Sequence, residues 1–463
     1  MGYTTHSDDD RLRILDVVGA FAVEELFAPI PRVLRQTELH LPPGLTEPEV
    51  RAQVEALASA DRRPGAASFL GAGCYRHSVP AAVRALVSRS EFSTAYTPYQ
   101  PEVSQGTLQH IFEFQTCICE LTGLEVANAS LYDGPSALAE AAFMALRLTR
   151  REGILISAGV HPEAAQVVST YAAGPGLPVY RWPLDPQSGT SVSNDLPASS
   201  IGAVLVQQPN YLGVVEDLRP MAASVHEAGA LLVVCVNPGT LGVLEAPGVL
   251  GADIVVGDVQ VFGNAPSFGG PSAGFLASRS AHMRQIPGRL VGQTIDVDGR
   301  VCYTLTLQTR EQHIRRAKAT SNVCSNQALS ALAATIHLAL LGPQGLRERG
   351  EICLQRAHHL HAELCALAGV KPLVSGPFFS EFALALPCPA AHFATTMRAL
   401  GVDPGVPLLR LGLEAGCAAP VGAAPTENVL LVAVTEENTP NALDQYVVAA
   451  RAVLDLLPPA LAS

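Results

Sequence analysis

Lysine is scarce in this chain of 463 residues, and its scarcity limits any chemistry that needs an amine. Of the 30 basic residues, only Lys318 and Lys371 are lysines, and the other 28 are arginines. A lysine amine forms Schiff bases with carbonyl groups, so covalent chemistry of this kind has two candidate residues. Lys318 follows Arg315 and Arg316 in a segment with helical spacing, and Lys371 lies in the C-terminal part of the chain.

Segment 94–106 is a second place where residue types and spacing indicate chemistry. Its prolines, Pro98 and Pro101, fit neither a central strand nor a helix interior, so the pattern predicts a stiff extended loop. Tyrosine and glutamine side chains on such a loop suit hydrogen bonding to a small polar ligand, and a purely structural loop is the open alternative. The polar residues concerned are Tyr96, Thr97, Tyr99, Gln100, Glu102, Ser104 and Gln105.

Arginines are concentrated between residues 285 and 322. Arg289 and Arg310 are the candidates for an anion contact, because a guanidinium group is always charged and binds carboxylate or phosphate through two parallel hydrogen bonds. A solvated helix face or an interface is the more common reason for such a cluster.

Polar residues stand where predicted helices begin and where predicted strands end. Gly134 and Ser136 open a helix whose free N–H groups suit an anion such as phosphate, although ordinary capping explains the same residues. The apolar run Leu231–Val236 ends at Asn237, and the run 253–256 leads to Gln260. Ligands in open α/β sheets bind outside the carboxyl ends of the strands, which is where these side chains are expected.

The elements that must position these residues alternate between strands and helices. Such alternation predicts an α/β fold with a mixed sheet covered on both faces. The expected strands are Gly153–Ser157, Val179–Trp182, 203–207, Leu231–Val236 and 253–256, with helices over 108–121 and 137–150. The predicted organisation is an N-terminal helical segment (1–65, helical over 10–27), a large α/β domain (66–320), a connecting helix (321–344, from a pattern over 320–341) and a small α/β domain (345–463).

Composition and charge exclude several functions. A net charge of -12 argues against nucleic acid and against an anionic membrane as the main partner. The ten cysteines form no CxxC pair, so neither a metal site nor a disulfide framework is expected. No apolar leader follows Met1, and the apolar stretch 328–341 is shorter than the roughly 20 residues of a membrane span, so a cytoplasmic protein is expected.

The order of helix-start glycine and serine, His161, strand-end acid and strand-end lysine resembles pyridoxal-phosphate enzymes of the aspartate aminotransferase type I fold. In those enzymes the acid keeps the pyridine nitrogen protonated and the lysine carries the cofactor. Here Asn237 stands at the acid position and Gln260 at about the lysine position. The resemblance therefore implies the fold without cofactor-binding residues in this chain.

Longer blocks make the chain similar to the glycine cleavage system P-protein, specifically the alpha subunit of its two-chain form. These blocks are 69–75, 96–106, 128–134, 310–322 and 431–436. The resemblance implies decarboxylation of glycine, with transfer of the aminomethyl group to the lipoyl arm of H-protein. It also implies that pyridoxal phosphate is bound by a partner beta subunit, in an alpha2beta2 heterotetramer.

On this resemblance, Tyr96, Tyr99 and Gln100 are expected in a shared catalytic pocket. Thr97, Glu102, Ser104, Gln105, Arg289 and Arg310 are the expected substrate-binding residues. Two alternatives stay open: a self-sufficient pyridoxal-phosphate enzyme, aminotransferase- or desulfurase-like, that uses Lys318, and a structural subunit without catalytic residues.

Overall fold

The computed structural model describes most of the chain and divides it into two compact units, Met1–Arg63 and Pro64–Ser463. The described residues are 5–35, 41–61, 67–192, 200–408 and 425–456. Parts of the predicted N-terminal segment and of the predicted small domain therefore lie outside the described residues, as does Cys417. The domain limits drawn from the sequence stay a prediction.

The first unit is helical. Its elements are α1 (Asp8–Val18), 3-10 turns at Val23–Phe27 and Arg32–Leu34, and α2 (Glu47–Ala60). Both α-helices begin at a capping box, in which Ser7 pairs with Asp10 and Thr46 with Glu49. The helix expected over 10–27 was drawn too long, because Gly19 takes a left-handed φ of 73° and ends α1.

A seven-stranded sheet forms the centre of the second unit, in the order β1-β7-β6-β5-β4-β2-β3. Strands β2 to β6 are parallel, whereas β7 is antiparallel to β6 and to β1. The strands are β1 (Val126–Ala127), β2 (Gly153–Ser157), β3 (Val179–Trp182), β4 (Ile201–Gln208), β5 (Leu231–Val236), β6 (Ile254–Asp258) and β7 (Gly274–Ser278). This arrangement confirms the predicted mixed sheet.

Helices cover both faces of this sheet, so its central strands are apolar throughout. Val233 and Val234 are neighbours in β5 but belong to different cores, with Leu138 on one face and with Phe114 and Met221 on the other. The helices up to β5 are α3 (Ala81–Val87), α4 (Gln105–Thr122), α5 (Gly134–Thr149), α6 (Pro162–Ala173) and α7 (Leu218–Glu227).

A β-hairpin follows the sheet in the chain, made of β8 (Leu290–Ile295) and β9 (Val301–Thr306). Its base packs on α4, where Val291 and Leu305 join a small apolar core with Leu108 and Ile111. The sequence analysis missed these strands, because uncharged polar residues such as Gln293 and Thr304 interrupt their apolar runs. Part of the arginine-rich segment is therefore strand, and α8 (Gln312–Arg315) is a single turn.

Helix α9 runs from Ala328 to Cys365 and bends at Gly342, next to Pro343. The sequence predicted a connecting helix over 321–344, but α9 begins only at Ala328. Residues 321–327 are not helical, because Val323 N–H donates to the Ser321 hydroxyl and Gln327 N–H donates to the Ser130 hydroxyl. By length and composition α9 resembles a membrane span. Its residues Ala331, Ala334 and Leu346, however, lie in the same core as Phe114 of α4 and the sheet.

The C-terminal part of the second unit is a four-stranded antiparallel sheet in the order β10-β11-β13-β12. Phe382 and Leu430 of this sheet share a core with Phe393 and Tyr446 of the helices packed on it. The elements are β10 (Lys371–Pro372), β11 (Glu381–Ala385), α10 (Ala390–Ala399), β12 (Val406–Pro407), β13 (Val429–Ala433) and α11 (Pro440–Asp455).

Glu381 of β11 is a buried carboxyl group, only 7% exposed, that joins this sheet to segment 72–75. It accepts hydrogen bonds from Ala72 N–H at 2.7 Å and from the Tyr75 hydroxyl at 2.8 Å. Burial outweighs these two bonds and raises the pKa of Glu381 to about 7. The Glu381 carboxyl therefore keeps its proton to a higher pH in the folded protein than in the unfolded chain.

Because the folded pKa is raised, stability contributed by Glu381 is present near pH 4.5 and is lost as the pH rises through 7. We expect Glu381→Gln to remove this loss and to stabilise the protein at pH 8 by on the order of 2–3 kcal/mol relative to wild type, with little change at pH 5. Denaturant unfolding across pH 5 to 8 measures this difference in the free energy of unfolding, and Glu363→Gln at an exposed position is the control. Parallel pH curves for wild type and Glu381→Gln would contradict the assignment.

Candidate active site

A cavity of about 400 Å3 opens at the carboxyl ends of β4, β5 and β6. Its other walls are the starts of α5 and α6, segment 72–75 and the glycine-rich loop 265–272. The place agrees with the general rule for ligands in open α/β sheets. It contains the positions at which the sequence analysis expected cofactor residues.

Gln260 lies in the 3-10 turn that follows β6, and it is buried. Its amide oxygen accepts a hydrogen bond from Tyr75 N–H at 3.1 Å. Its amide nitrogen donates to the Tyr75 carbonyl and to the Asn264 carbonyl, both at 2.9 Å. Both amide hydrogens are therefore used by the backbone, and the side chain fastens segment 72–75 to the sheet.

Asn237, at the end of β5, directs its side-chain oxygen back to its own turn, where it accepts from Gly239 N–H at 3.0 Å. The side chain thus caps the turn Pro238–Thr240. An amide carries no charge and does not hold a pyridinium as a carboxylate does.

His161 lines the cavity at the start of α6. Its Nδ1 accepts from Glu163 N–H at 3.2 Å, so Nε2 carries the hydrogen and donates to the Ala72 carbonyl at 3.0 Å. Burial lowers the pKa of His161, which keeps the imidazole neutral. The ring packs edge-to-face on Tyr211, with centroids 5.0 Å apart.

Asp258 ends β6 and faces the start of α5. Its carboxylate accepts from Gly134 N–H at 3.0 Å, from Gln260 N–H at 2.8 Å and from the Ser272 hydroxyl. Burial raises the pKa of Asp258, and these hydrogen bonds oppose the rise by stabilising the charged form.

The cavity does not fit pyridoxal phosphate, because its described residues include neither an amine nor an acid at the two positions that the cofactor needs. Lys318 is exposed on the 3-10 turn Arg316–Lys318, and Lys371 is exposed in β10. Neither lysine lines the cavity. The segment with helical spacing around Lys318 forms α8 and the 3-10 turn that follows it.

Loop 94–106 does not line this cavity. Tyr96 is 85% exposed and Tyr99 52% exposed, and Gln100 and Glu102 are exposed as well, whereas Thr97 and Ser104 are half-buried. Ser104 occupies the N-cap position of α4 without a side-chain capping bond. Gln105 has a structural contact, since it exchanges hydrogen bonds of 2.9 Å with the backbone of Tyr303 in β9.

Arg289 and Arg310 line the same small space, and Arg289 also lies beside Tyr99. The Arg289 guanidinium is 5.8 Å from the centre of the Tyr99 ring and donates to Asn326 and to the Cys324 carbonyl. Arg310 donates to the carbonyls of Ile286, Gly288 and Leu307. The space next to both arginines measures about 20 Å3, enough for a single water molecule.

His77, Cys353 and Glu436 place their ligand atoms within 4.8 Å of one another, away from the cavity. Burial alone would raise the pKa of Glu436, but the hydrogen bond from His77 and nearby Arg349 bring it down to about 2. Burial raises the pKa of Cys353 to about 12, so its thiol stays protonated. A protonated thiol and a neighbouring guanidinium group favour a structural ion-pair cluster over a metal site.

A family model of the glycine cleavage system P-protein matches residues 1–399. The chain is 46% identical over 456 residues to the probable glycine dehydrogenase (decarboxylating) subunit 1 of Moorella thermoacetica, covering 98% of this chain and 100% of that protein. The corresponding protein of Chlorobaculum parvum is 46% identical over 451 residues, covering 96% and 98%. The chain belongs to the glycine cleavage system P-protein family.

Solved structures agree with membership in the P-protein family. A crystal structure of glycine decarboxylase (P-protein) in inhibitor-bound form superimposes with a TM-score of 0.88 at 45% identity, covering 98% of this chain and 100% of that chain. Lactobacillus brevis glutamate decarboxylase has a TM-score of 0.65 at 12% identity, covering 93% and 98%. This more distant likeness shows the fold alone, and the fold is that of the pyridoxal-phosphate-dependent transferases.

The sequence analysis found the position of Gln260 in this P-protein but missed its partner Tyr75. Tyr75 and Gln260 are 185 residues apart, so no local pattern joins them. The one available signal was the pair of glycines at 71 and 73, where the chain passes close to Glu381 and His161.

If Gln260 fastens segment 72–75, its replacement by an apolar side chain of similar size leaves Tyr75 N–H and its carbonyl without partners. We expect Gln260→Leu to lower the free energy of unfolding by about 2–4 kcal/mol. The matched change Gln166→Leu, on the exposed side of α6, should cost less than about 0.5 kcal/mol. Equal effects of the two changes in denaturant unfolding would refute this role.

Proposed function

We propose that this chain is the subunit of a two-chain glycine decarboxylase that lacks the cofactor lysine, and that the homologous beta subunit binds pyridoxal phosphate. The complete enzyme removes CO2 from glycine and transfers the remaining aminomethyl group to the lipoyl arm of H-protein. Pyridoxal phosphate, bound by the beta subunit, supplies the electron sink for the carbanion left by the loss of CO2. The name subunit 1 of the similar proteins supports a two-chain enzyme.

The observation that carries the proposal is the amide of Gln260. Its two amide hydrogens are bonded to backbone carbonyls, and an amide forms no Schiff base. Asn237 is likewise committed to its own turn. Both side chains have structural partners at the positions where the fold needs chemistry, which supports a cofactor site on another chain.

This chain then contributes to catalysis through the loop of Tyr96, Tyr99 and Gln100. These side chains are exposed and lie outside the cavity, so they are free to reach a pocket on the beta subunit. The Arg289 guanidinium beside the Tyr99 ring stiffens the loop on its inner side. Thr97, Glu102 and Ser104 are available for the substrate. Gln105 supports the loop through its hydrogen bonds to Tyr303, and Arg289 supports it through its contact with the Tyr99 ring. Arg310 binds the carbonyls of Ile286, Gly288 and Leu307 and stays a weaker candidate for the substrate.

The proposed assembly is an alpha2beta2 heterotetramer in the cytoplasm, and lipoylated H-protein binds to it as a partner. A self-sufficient enzyme that uses Lys318 is the weaker alternative, because this lysine is exposed and does not line the cavity. A purely structural subunit is the remaining alternative, and it differs from the proposal in what the loop residues do.

The purified chain should give no glycine–bicarbonate exchange above background, with or without added pyridoxal phosphate, because none of the described residues that line its cavity carries an amine. Mixing it with the beta subunit should restore exchange. The assay follows labelled bicarbonate into glycine with the lipoyl protein present. Exchange by the chain alone would overturn the proposal.

In the reconstituted complex, Tyr99→Phe and Gln100→Ala should each lower turnover about 10-fold or more, because each removes a hydrogen-bonding group from the shared pocket. Controls of the same chemistry are Tyr180→Phe and Gln166→Ala, at exposed positions outside the loop. Gel filtration of each variant with the beta subunit checks assembly. Unchanged turnover in an intact complex would favour the structural subunit.

A further inference from the structure

Three hydrogen-bond donors from separate parts of the chain converge on the Asp258 carboxylate. They are the N–H of Gly134 at the start of α5, the N–H of Gln260 in the turn after β6, and the hydroxyl of Ser272 in the glycine-rich loop. The start of a helix, together with further N–H and O–H donors, commonly forms a binding site for an anion in proteins. Here the anion is a side chain of the protein itself.

The first turn of α5 has no N–H group left for an external anion. Gly134 N–H donates to Asp258, and Pro135 has no N–H. Ser136 N–H donates to the Asp133 side chain at 2.7 Å, and Ala137 N–H to the Asp133 carbonyl at 3.0 Å. Every donor that could hold a phosphate group at this helix start already has an acceptor within the chain.

The charge around Asp258 also opposes a phosphate group. The described residues that line the cavity include Asp133, Asp258 and Glu163 but no lysine or arginine. A phosphate monoester entering here would meet negative charge without a compensating cation, at a place of low dielectric constant where such repulsion is strong.

We infer that Asp258 occupies the anion subsite at the start of α5, so that this chain excludes the phosphate group of pyridoxal phosphate in addition to lacking the lysine. The inference deepens the proposed function, on which its relevance to catalysis rests. It also has a consequence of its own: a lysine placed at position 260 would not make this chain bind the cofactor while the carboxylate remains.

Anion rescue tests the inference on the full chain. Asp258→Ala removes the carboxylate and leaves its three donors around an open space that joins the cavity. We expect this variant to melt about 2–5 °C below wild type, and about 20 mM phosphate or formate to restore at least half of the loss. Wild type should show no comparable shift with either anion beyond that caused by the same ionic strength of chloride.

Two matched variants separate this effect from a general response to salt. Asp258→Asn keeps the space filled, and Ser272→Ala keeps the carboxylate while removing one donor, so neither should gain stability from phosphate. Equilibrium dialysis with inorganic phosphate gives a second readout: Asp258→Ala should bind it at least about 10-fold more tightly than wild type.

Phosphate binding by wild type equal to that of Asp258→Ala, or Asp258→Ala without any anion effect, would overturn the inference. If Asp258→Ala does not fold, wild type and Asp258→Asn decide by dialysis, because the inference requires that neither binds phosphate. These outcomes are distinct from failure of the proposed function, which would appear as glycine–bicarbonate exchange by the chain without its beta subunit.

Discussion

The carboxylate of Asp258 holds together the parts of the chain that surround the cavity. It joins the end of β6 to the start of α5 through Gly134 and to the glycine-rich loop through Ser272. Its third bond fixes the N–H of Gln260, whose side chain in turn binds Tyr75. A half-buried carboxylate with three donors is stable, whereas the same carboxylate without them would carry a desolvation cost. The elements around the cavity therefore depend on one another.

These bonds also connect the two sheets of the second unit. Tyr75 exchanges backbone hydrogen bonds with Gln260 on one side, and its hydroxyl donates to Glu381 of the small sheet on the other. In this chain, the positions that bind a cofactor in other proteins of this fold therefore hold side chains that connect parts of the structure. Gln260 and Asn237, which have structural partners, line the cavity of about 400 Å3 at these positions.

Much of the fold could be predicted from the apolar periodicity of the sequence. The contacts of the site could not be predicted in this way. The strands Gly153–Ser157, Val179–Trp182 and Leu231–Val236 consist mainly of apolar and aromatic residues, and the sequence predicted their limits correctly. Strands β8 and β9 were missed because polar residues alternate along a half-exposed hairpin. The position of Gln260 could be predicted from its distance to β6, but its partner Tyr75 is far away in the chain. The carbonyl contacts of Arg310 likewise depend on tertiary structure.

The central claim is that the cofactor of the active enzyme is bound by the partner subunit. Borohydride reduction of the reconstituted complex fixes pyridoxal phosphate to the lysine that carries it, and peptide mass mapping of the separated chains then locates the pyridoxyl group. We expect the adduct on the beta subunit and unmodified peptides containing Lys318 and Lys371. A stoichiometric pyridoxyl adduct on Lys318 would show instead that this chain binds the cofactor.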